Sequence, residues 1–398
     1  MSMTQFESCI KCTVCTTACP VSQVNPAYSG PKQAGPDGER LRLKDPALFD
    51  ESLSYCTNCK RCETACPSGV KIGDIIQRAR AQYAQPKYAL RNTLLSHTDL
   101  LGTLSSPIAP LVNATTGLKP VRQLLDKMLK IDHRRTLPKY ARGTFRHWYR
   151  RQAERQAAYP EQVAFFHGCY VNYNHPQLGK DVVKVANALG IGVRLLDKER
   201  CCGVPLMANG FYEKAKKQAT VNMGALQQAI VDDGLTTIAT SSTCTFTLRD
   251  EYPHLLDLPN DDHLRPHIDL ATRWLWRRLD EGRTLPLRTL PLTVAYHTPC
   301  HMERMGWTLY SLALLRKIPG VKVIVLDSQC CGIAGTYGFK TENYPTSQAI
   351  GAPLFRQIEL SGADMVVTDC ETCKWQIEMS TSKRCEHPVT LLAQALAD

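Results

Sequence analysis

The 398-residue sequence predicts an α/β protein that joins an α-rich head to a body of duplicated βαβ units around parallel sheets. Two observations predict this arrangement. Matching cysteine runs lie near the N-terminus, and three short sequence blocks from the middle of the chain recur close to the C-terminus. With 43% hydrophobic and 21% charged residues, the composition is that of a folded protein rather than a disordered one.

The two cysteine runs share the pattern Cys-x2-Cys-x2-Cys-x3-Cys-Pro, at residues 9–20 and 56–67. Three evenly spaced thiolates suit three corners of a 4Fe–4S cube, and in two-cluster ferredoxins the fourth cysteine serves the other cluster. Zinc, the alternative, usually takes two Cys-x-x-Cys pairs. We therefore expect a ferredoxin-like head with two 4Fe–4S clusters. The predicted ligands are Cys9, Cys12, Cys15 and Cys66 for the first cluster, and Cys56, Cys59, Cys62 and Cys19 for the second.

The rest of the head separates the two runs and closes the domain. Residues 25–40 are rich in proline and glycine, which predicts a loop. Apolar residues between Ile72 and Tyr83 recur at helical spacing, which predicts a helix. We place the head at residues 1–84.

Eighteen cysteines in one chain also raise the alternative of a secreted, disulfide-bonded protein. The stretch from Met1 to Cys9 has no signal-peptide pattern, and the tight cysteine groups suit a metal in a reducing compartment better than disulfides. The long uncharged stretch Leu100–Leu118 is interrupted by prolines, glycines and polar residues, so we expect no transmembrane span. No G-x-G-x-x-G motif, Walker lysine or nucleophile elbow points to nucleotide binding or hydrolysis.

The body carries an internal duplication. Three segments match three later ones: 163–169, 192–203 and 237–244 against 294–300, 321–332 and 366–373. The offset is 131 residues for the first cysteine and 129 for the others, which indicates a repeat. Because short apolar runs ending at cysteines alternate with helical patterns, we expect parallel βαβ units with the cysteines at the carboxyl ends of the strands. The predicted repeats span residues 161–286 and 287–398.

The repeats supply a second set of candidate metal ligands. The second repeat contains Cys300, Cys330, Cys331, Cys370 and Cys373, and the first contains Cys169, Cys201, Cys202 and Cys244. Ser241 stands where the other half has Cys370, and serine replaces a soft thiolate poorly, so we expect a weakened or altered first site. Inert buried thiols are the alternative, which the repeated Cys-Cys-Gly disfavours. Cys385 has no counterpart and is expected to be inert.

Other polar residues lie beside these cysteines. His167, His297 and His301 are candidate ligands or proton relays, but a lone histidine is more often structural, and we expect that role here. Asp369 and Glu371 flank Cys370, and we expect solvated loop charges rather than proton carriers.

A basic helical segment, residues 85–160, is predicted to connect head and body. Between Lys119 and Arg155 it holds twelve lysines and arginines against three acidic residues, a net charge of +9 out of +11 for the chain. Basic side chains near anionic lipid contribute about 1 kcal/mol each, so peripheral membrane contact is one expectation. A solvated helix face and a docking surface for an acidic subunit are equally compatible. Nucleic acid is not expected, because no nucleic-acid-binding module is visible.

The cysteine motifs resemble those of heterodisulfide-reductase-like and glycolate-oxidase-like iron–sulfur subunits, and most closely those of the iron–sulfur subunits of anaerobic glycerol-3-phosphate dehydrogenases. The closer resemblance rests on KCTVCTTACPV, GPKQAGPDGERLRLKD, KIGDIIQRARA, HPQLGKD and YGFKTENYPTSQAIGAPLFRQIE. It implies two partners: a flavin-containing catalytic subunit that oxidises sn-glycerol 3-phosphate to dihydroxyacetone phosphate, and a second subunit. It also implies electron transfer to menaquinone, and ultimately fumarate, at the cytoplasmic face of the inner membrane.

The same resemblance implies a non-cubane 4Fe–4S cluster at the five cysteines of the second repeat, and it carries only partly to the first repeat because of Ser241. Since no flavin site is visible, we expect an electron-transfer subunit without catalytic residues of its own. Three alternatives stay open: a stand-alone reductase acting at Cys300, the iron–sulfur subunit of a related oxidoreductase, and a membrane anchor with purely structural clusters.

Overall fold

The computed structural model describes residues 6–46, 48, 50–83, 88–260 and 263–397. The predicted boundary between head and connecting segment, at residues 84 and 85, lies outside the described residues. Residues 1–5 of the stretch searched for a signal peptide also lie outside them. Within the described part of the chain, no helix is both long enough and apolar enough to cross a bilayer.

The head consists of short helices around the two cysteine runs. They are α1 (Val14–Thr17), α2 (Gly38–Lys44), α3 (Arg61–Thr64) and α4 (Ile72–Tyr83), with a 3₁₀ turn at Glu51–Tyr55. In each run the residues on both sides of the second cysteine have left-handed backbone: Lys11 and Thr13 (φ 58° and 65°), and Asn58 and Lys60 (φ 54° and 62°). Because this conformation is uncommon outside glycine, its recurrence shows that both runs adopt the same curled loop.

The loop predicted for residues 25–40 is wrong in its second half. The chain is helical from Pro31 and passes through a π-helical turn at Gln33–Asp37 directly into α2. Proline is tolerated in the first turn of a helix, where its missing N–H is not needed. Gly35 lets this helix lie against α4, since a β-carbon there would come within 3.0 Å of the Ile72 side chain. Tertiary packing therefore overrides a composition typical of loops.

Between residues 88 and 160, six helices connect the head to the body. They are α5 (Ala89–Ser96), α6 (Thr98–Ser105), α7 (Ala109–Gly117), α8 (Lys119–Leu129), α9 (Phe145–Arg150) and α10 (Ala153–Ala157). Several basic residues of this segment have structural partners: buried Arg135 donates to the carbonyl oxygen of Gly338, and Arg146 donates to Nε2 of His167 at 2.8 Å. The basic cluster is therefore only partly available to an external partner.

The body contains two four-stranded parallel sheets, which confirms the predicted duplication. The first has β1 (Glu161–Phe166), β2 (Ile191–Leu195), β3 (Thr237–Ala239) and β4 (Ile268–Leu270), in the order β2-β1-β3-β4. The second has β5 (Thr293–Tyr296), β6 (Lys322–Val325), β7 (Met365–Val367) and β8 (Cys385–Glu386), in the order β6-β5-β7-β8. In both sheets the first and third strands flank a topological switch point, where open α/β sheets bind ligands.

Helices cover both sheets. In the first repeat they are α11 (Pro176–Ala188), α12 (Val204–Met207), α13 (Tyr212–Gln227), α14 (Ser242–Phe246), α15 (Tyr252–Leu255) and α16 (Ala271–Asp280). In the second they are α17 (Cys300–Met305), α18 (Thr308–Arg316), α19 (Tyr344–Leu360), α20 (Glu371–Ser380) and α21 (Pro388–Ala395).

The two repeats share a continuous apolar core. The inner strands β1, β3, β5 and β7 are mostly buried, as in other parallel sheets, and read as apolar runs, whereas both ends of the edge strand β6 are exposed. Phe165 packs into the core that both repeats share, whereas Phe166 packs into a core within the first repeat. Each fully buried side chain of this size contributes about 1.5–3 kcal/mol. Helix α11 packs against α21 and α16 against α18, which joins the halves into one body.

Polar contacts hold the head against both repeats. Asn58 donates a hydrogen bond of 2.7 Å to Oε1 of Glu251 in the first repeat. Arg61 donates to Oγ of Ser328 at 2.7 Å and pairs with Glu303 at 3.1 Å, both in the second repeat. Because Asn58 and Arg61 belong to the second cysteine run, this run faces the junction between the repeats.

Candidate metal centres

All 18 cysteines are free thiols. Nine of them lie just beyond the carboxyl ends of strands, three strands in each sheet. In the first repeat, β1 is followed by Cys169, β2 by Cys201 and Cys202, and β3 by Cys244; in the second, β5 is followed by Cys300, β6 by Cys330 and Cys331, and β7 by Cys370 and Cys373. Parallel strands thus bring together thiols that are far apart in the sequence.

The thiols of the first repeat contact one another. Sγ of Cys244 lies 3.4 Å from Sγ of Cys202, and hydrogen bonds from Cys169 and Cys202 hold the pKa of Cys201 well below its usual value. Cys201 is therefore the first thiol of this group to become a thiolate. Gly203, the third residue of Cys-Cys-Gly, has φ 92°, a conformation that favours glycine.

Ser241 takes the place that Cys370 has in the second repeat. Both residues immediately precede a helix, α14 and α20 respectively. The Ser241 hydroxyl accepts a hydrogen bond from the amide of Cys244 at 3.2 Å and donates to Oε1 of Glu371 at 3.1 Å. Its oxygen therefore caps α14 and joins the two repeats, which leaves the first group with four thiols.

The second repeat gathers five thiols. Sγ of Cys331 lies 3.3 Å from Sγ of Cys373, and hydrogen bonds from Cys330 and Cys373 lower the pKa of Cys331 to about 6. A thiolate at Cys331 is thus populated at neutral pH. Gly332 is required on two grounds: its φ is 85°, and a β-carbon would come within 2.0 Å of the carbonyl oxygen of Ser347.

One large cavity, about 1390 Å³, lies among the head, the connecting helices and both repeats. All nine strand-end cysteines line it, together with Cys56 and Cys59 of the head. Leu95, Leu101 and Leu125 of the connecting helices form part of its apolar wall. Soft thiol donors around a space of this size fit iron–sulfur clusters, because such clusters are held by several thiolates at once.

The fourth cysteine of each head run lies near thiols of the other run. Burial raises the pKa of Cys15, and the nearby thiols Cys9 and Cys66 raise it further. Burial and the neighbouring Cys59 raise the pKa of Cys19 to about 11. The fourth cysteine of each run thus lies with cysteines of the other run, as crossed ligation of two clusters requires.

The head and the second repeat meet through their cysteines. Burial, followed by the charge of Cys300, raises the pKa of Cys59 to about 12. Cys330 is packed into the same apolar cluster as Cys15, Cys19 and Cys62 of the head. Cys385, in contrast, is buried in the core of the second repeat and does not line the cavity.

The three candidate histidines have different surroundings. His167 is satisfied: Arg146 donates to its Nε2, and its Nδ1 lies 2.8 Å from the carbonyl oxygen of Gly168. His301 stacks on Phe246 and contacts the Asn58 carbonyl oxygen through Nε2 at 3.2 Å. For His297, neither ring nitrogen has a hydrogen-bond partner within the described residues. Burial lowers the pKa of His297 to about 3, so its imidazole is neutral.

The prediction of a solvated loop charge is wrong for Asp369, whereas Glu371 is half-buried at the cavity. Asp369 is fully buried and accepts hydrogen bonds from Thr272 at 2.8 Å, Ser311 at 3.1 Å and Tyr296 at 2.6 Å. Glu371 faces Ser241, and burial raises its pKa. Each carboxyl group is held by donors from elsewhere in the fold, which the local sequence does not reveal.

Two polar residues escaped the sequence analysis: Asp99, beside Cys201, and Lys340, at the cavity. Asp99 of α6 accepts the amide of Cys201 at 2.8 Å, and burial together with Cys201 raises its pKa to about 6. Lys340 lines the cavity, and burial, with the charges of Arg80 and Arg91, lowers its pKa to about 7. Neither residue lies in a motif, so no local pattern identifies it.

Comparison with known proteins supports this interpretation of the cysteines. A 4Fe-4S dicluster domain matches residues 5–70, and a cysteine-rich domain matches residues 163–249 and again 294–378. Over 397 residues, covering 100% of both chains, the sequence is 74% identical to a subunit of the anaerobic glycerol-3-phosphate dehydrogenase of Escherichia coli (strain K12). The chain belongs to this family of dehydrogenase subunits. This membership agrees with the resemblance that the cysteine motifs carry.

More distant relatives of this chain carry other names. A subunit of the fumarate reductase (CoM/CoB) of Methanothermobacter marburgensis is 25% identical over 390 residues, which cover 95% of this chain and 69% of that protein. The glycolate oxidase iron-sulfur subunit of Escherichia coli (strain K12) is 24% identical over 414 residues, which cover 98% and 94% respectively. Components of several oxidoreductases therefore resemble this chain from end to end.

Proposed function

We propose that this subunit carries electrons from a flavin-containing catalytic subunit to membrane menaquinone, and that it helps to hold the catalytic dimer at the cytoplasmic face of the inner membrane. The proposed cluster ligands are those predicted from the sequence: two crossed quartets in the head and the five cysteines of the second repeat, with a weaker set in the first. A 4Fe–4S cluster supplies one-electron transfer, whereas a flavin releases two electrons, so several clusters in series match the two chemistries.

The observation that carries this proposal is the continuity of thiols from the head to the cavity. Cys59 of the second run lies beside Cys300, and both line the cavity. Arg61, which is mostly buried, sits between them, where the charges of Cys300 and Glu303 raise its pKa. A fixed cation there favours negative charge on both thiol groups, which holds the two centres together.

Lys340 is the cavity residue best suited to meet a quinone. Its ammonium group has no hydrogen bond or ion pair with the residues that the structure describes, so it is available to a ligand in the cavity. With a pKa of about 7, it can donate a hydrogen bond and a proton to a carbonyl oxygen near neutral pH. Apolar walls from the connecting helices suit the rest of such a ligand.

Membrane contact is supported by the outer faces of the same helices. Eight of the twenty exposed large apolar side chains in the described chain fall within 39 residues: Leu90, Leu100, Leu104, Ile108, Leu111, Leu118, Leu124 and Met128. We call these residues the apolar helix face. Exposed Lys119, Lys127 and Lys130 lie in the same segment, so the face combines apolar insertion with attraction to anionic lipid.

The test is spectroscopic, on the complete complex purified without oxygen. Adding sn-glycerol 3-phosphate should bleach the visible absorbance of the clusters, and a menaquinone analogue should restore it. The Cys12→Ser and Cys59→Ser variants should lose this cycle. Full quinone reduction by either variant would make the clusters structural and overturn the proposal, and so would turnover of a disulfide by this chain alone.

A further inference from the structure

His297 lies immediately after β5, at the carboxyl edge of the second sheet, and only 1% of its surface is exposed. Its backbone is well bonded: the amide donates to the carbonyl oxygen of Val367 at 3.0 Å, and its own carbonyl oxygen accepts from Thr368 at 3.0 Å. Its ring is not, since neither Nδ1 nor Nε2 has a partner among the described residues. Hydrogen bonds therefore fix the backbone of His297, while its ring nitrogens have no hydrogen-bond partner among the described residues.

An imidazole left in this state is costly. A neutral ring has one N–H donor and one lone-pair acceptor, and burying either without a partner forfeits its hydrogen bonds to water. Buried polar groups in folded proteins are almost always paired. The partner of His297 is therefore expected to be a group other than the polypeptide.

The nearest potential metal ligands identify that group. One ring nitrogen of His297, Sγ of Cys331 and Sγ of Cys373 all lie within 4.8 Å of one another. The two sulfurs are 3.3 Å apart. With metal–sulfur bonds of about 2.3 Å and metal–nitrogen bonds of about 2.0–2.1 Å, the ligands of one tetrahedral ion are separated by about 3.5–3.8 Å. The three atoms are thus close enough to share a single ion after small adjustments.

The first repeat has no equivalent. There Phe166 occupies the position of His297 at the end of the strand, by the same offset of 131 residues that relates the first cysteines. The neighbouring His167 does not substitute, because Arg146 already donates a hydrogen bond to its Nε2. An unpaired imidazole beside thiols is therefore a particular feature of the second repeat.

We propose that His297 is a nitrogen ligand to iron in the iron–sulfur centre of the second repeat, beside Cys331 and Cys373. This inference rests on the proposed function, which places a cluster at these cysteines. Imidazole is neutral where thiolate is anionic, and replacing thiolates by histidines raises the reduction potential of iron–sulfur centres. Electron transfer from the clusters of the head to the centre of the second repeat would therefore be favoured.

The test uses the full complex, prepared anaerobically and partly reduced, with histidine containing either ¹⁴N or ¹⁵N. Pulsed electron paramagnetic resonance should show a directly bonded nitrogen on the signal that Cys330→Ser abolishes, and the coupling should change with the isotope. The coupling should disappear in His297→Leu and persist in His301→Gln, the matched control one residue beyond Cys300. In His297→Cys the iron content should be retained and the midpoint potential should fall.

The possible results distinguish a failure of the proposed function from a failure of the His297 ligand assignment. If Cys330→Ser changes neither the iron content nor any resonance signal, the second repeat holds no cluster and the proposed function fails at that point. If the signal is present but has no nitrogen coupling, or keeps it unchanged in the His297 variants, only the ligand assignment is overturned. If the His297→Leu variant does not form the complex, two measurements still test the ligand assignment. They are the isotope comparison on the unmodified complex and the midpoint potential of His297→Cys.

Discussion

The hydroxyl of Ser241 lies 3.1 Å from Oε1 of Glu371, so the residue that replaces a fifth thiol in the first repeat is bonded to the residue that follows Cys370 of the second. The two Cys-Cys-Gly repeats are thus not equivalent copies. One has four thiols and a hydroxyl committed to a hydrogen bond, whereas the other has five thiols and an imidazole without a partner among the described residues. The two repeats therefore share one fold but differ in the side chains that could bind a metal.

Ser241→Cys should restore the missing donor. Since a thiolate binds iron far better than a hydroxyl, we expect the anaerobic iron content per chain to rise in this variant. Ser241→Ala is the matched control: it removes the bond to Glu371 without adding a ligand, and its iron content should not exceed that of the original protein. An unchanged iron content in Ser241→Cys would show that the first repeat is not limited by this position.

Lys60→Met should destabilise the head. Lys60 is buried, pairs with Asp74 and lies 3.5 Å from Glu63. Its loss removes a cation from two buried carboxylates and leaves Glu63 with Arg304 at 3.6 Å. Removing one partner of a buried ion pair typically costs about 3–5 kcal/mol. Denaturant unfolding monitored at the clusters should show this loss of stability.

Arg194→Met provides the control for Lys60→Met. Arg194 pairs with Asp233 at 2.7 Å near the surface, where such pairs contribute about 0.2–1 kcal/mol. Equal effects of the two substitutions would mean that the buried pair does not stabilise the head.

Membrane binding should depend on the apolar helix face. We expect the triple variant Leu104→Gln, Leu111→Gln and Leu124→Gln to reduce co-sedimentation with anionic vesicles by on the order of tenfold or more, because apolar insertion is lost. The control replaces Leu309 and Leu360 by glutamine, since both are exposed outside this segment. A drop of the same size in the control would assign membrane binding to general surface apolarity.

Quinone reduction should depend on pH through Lys340. Because burial lowers its pKa to about 7, its ammonium form is populated below that pH, and the rate of cluster reoxidation by quinone should rise as pH falls through 7. Lys340→Met should flatten this profile and slow reoxidation by about 100-fold, while reduction by glycerol 3-phosphate is unaffected. A pH profile that Lys340→Met leaves unchanged would exclude the residue from this step.

The same residue affects stability. Between the lowered pKa of about 7 and the usual value near 10.5, the unfolded chain binds a proton at Lys340 that the folded chain does not. The contribution of this residue to stability therefore increases with pH across that window. In Lys340→Met this part of the pH dependence of the unfolding free energy should be absent.

Much of the fold followed from local patterns. The cysteine runs, the periodic apolar residues of α4 and the recurring strand–cysteine blocks are short-range signals, and the structure has the corresponding elements. The helix through Gly35 was missed because its stability comes from packing against Ile72, which local composition does not show. Asp99, Lys340 and the unpaired ring of His297 were missed as site features because long-range contacts, or their absence among the described residues, define them.

The most direct test of the central claim is the iron and acid-labile sulfide content of this subunit after strictly anaerobic purification. Two cubane clusters in the head and one further cluster in the second repeat predict about twelve iron and twelve sulfide ions per chain. Chains that contain zinc in place of iron, or iron without sulfide, would contradict the account.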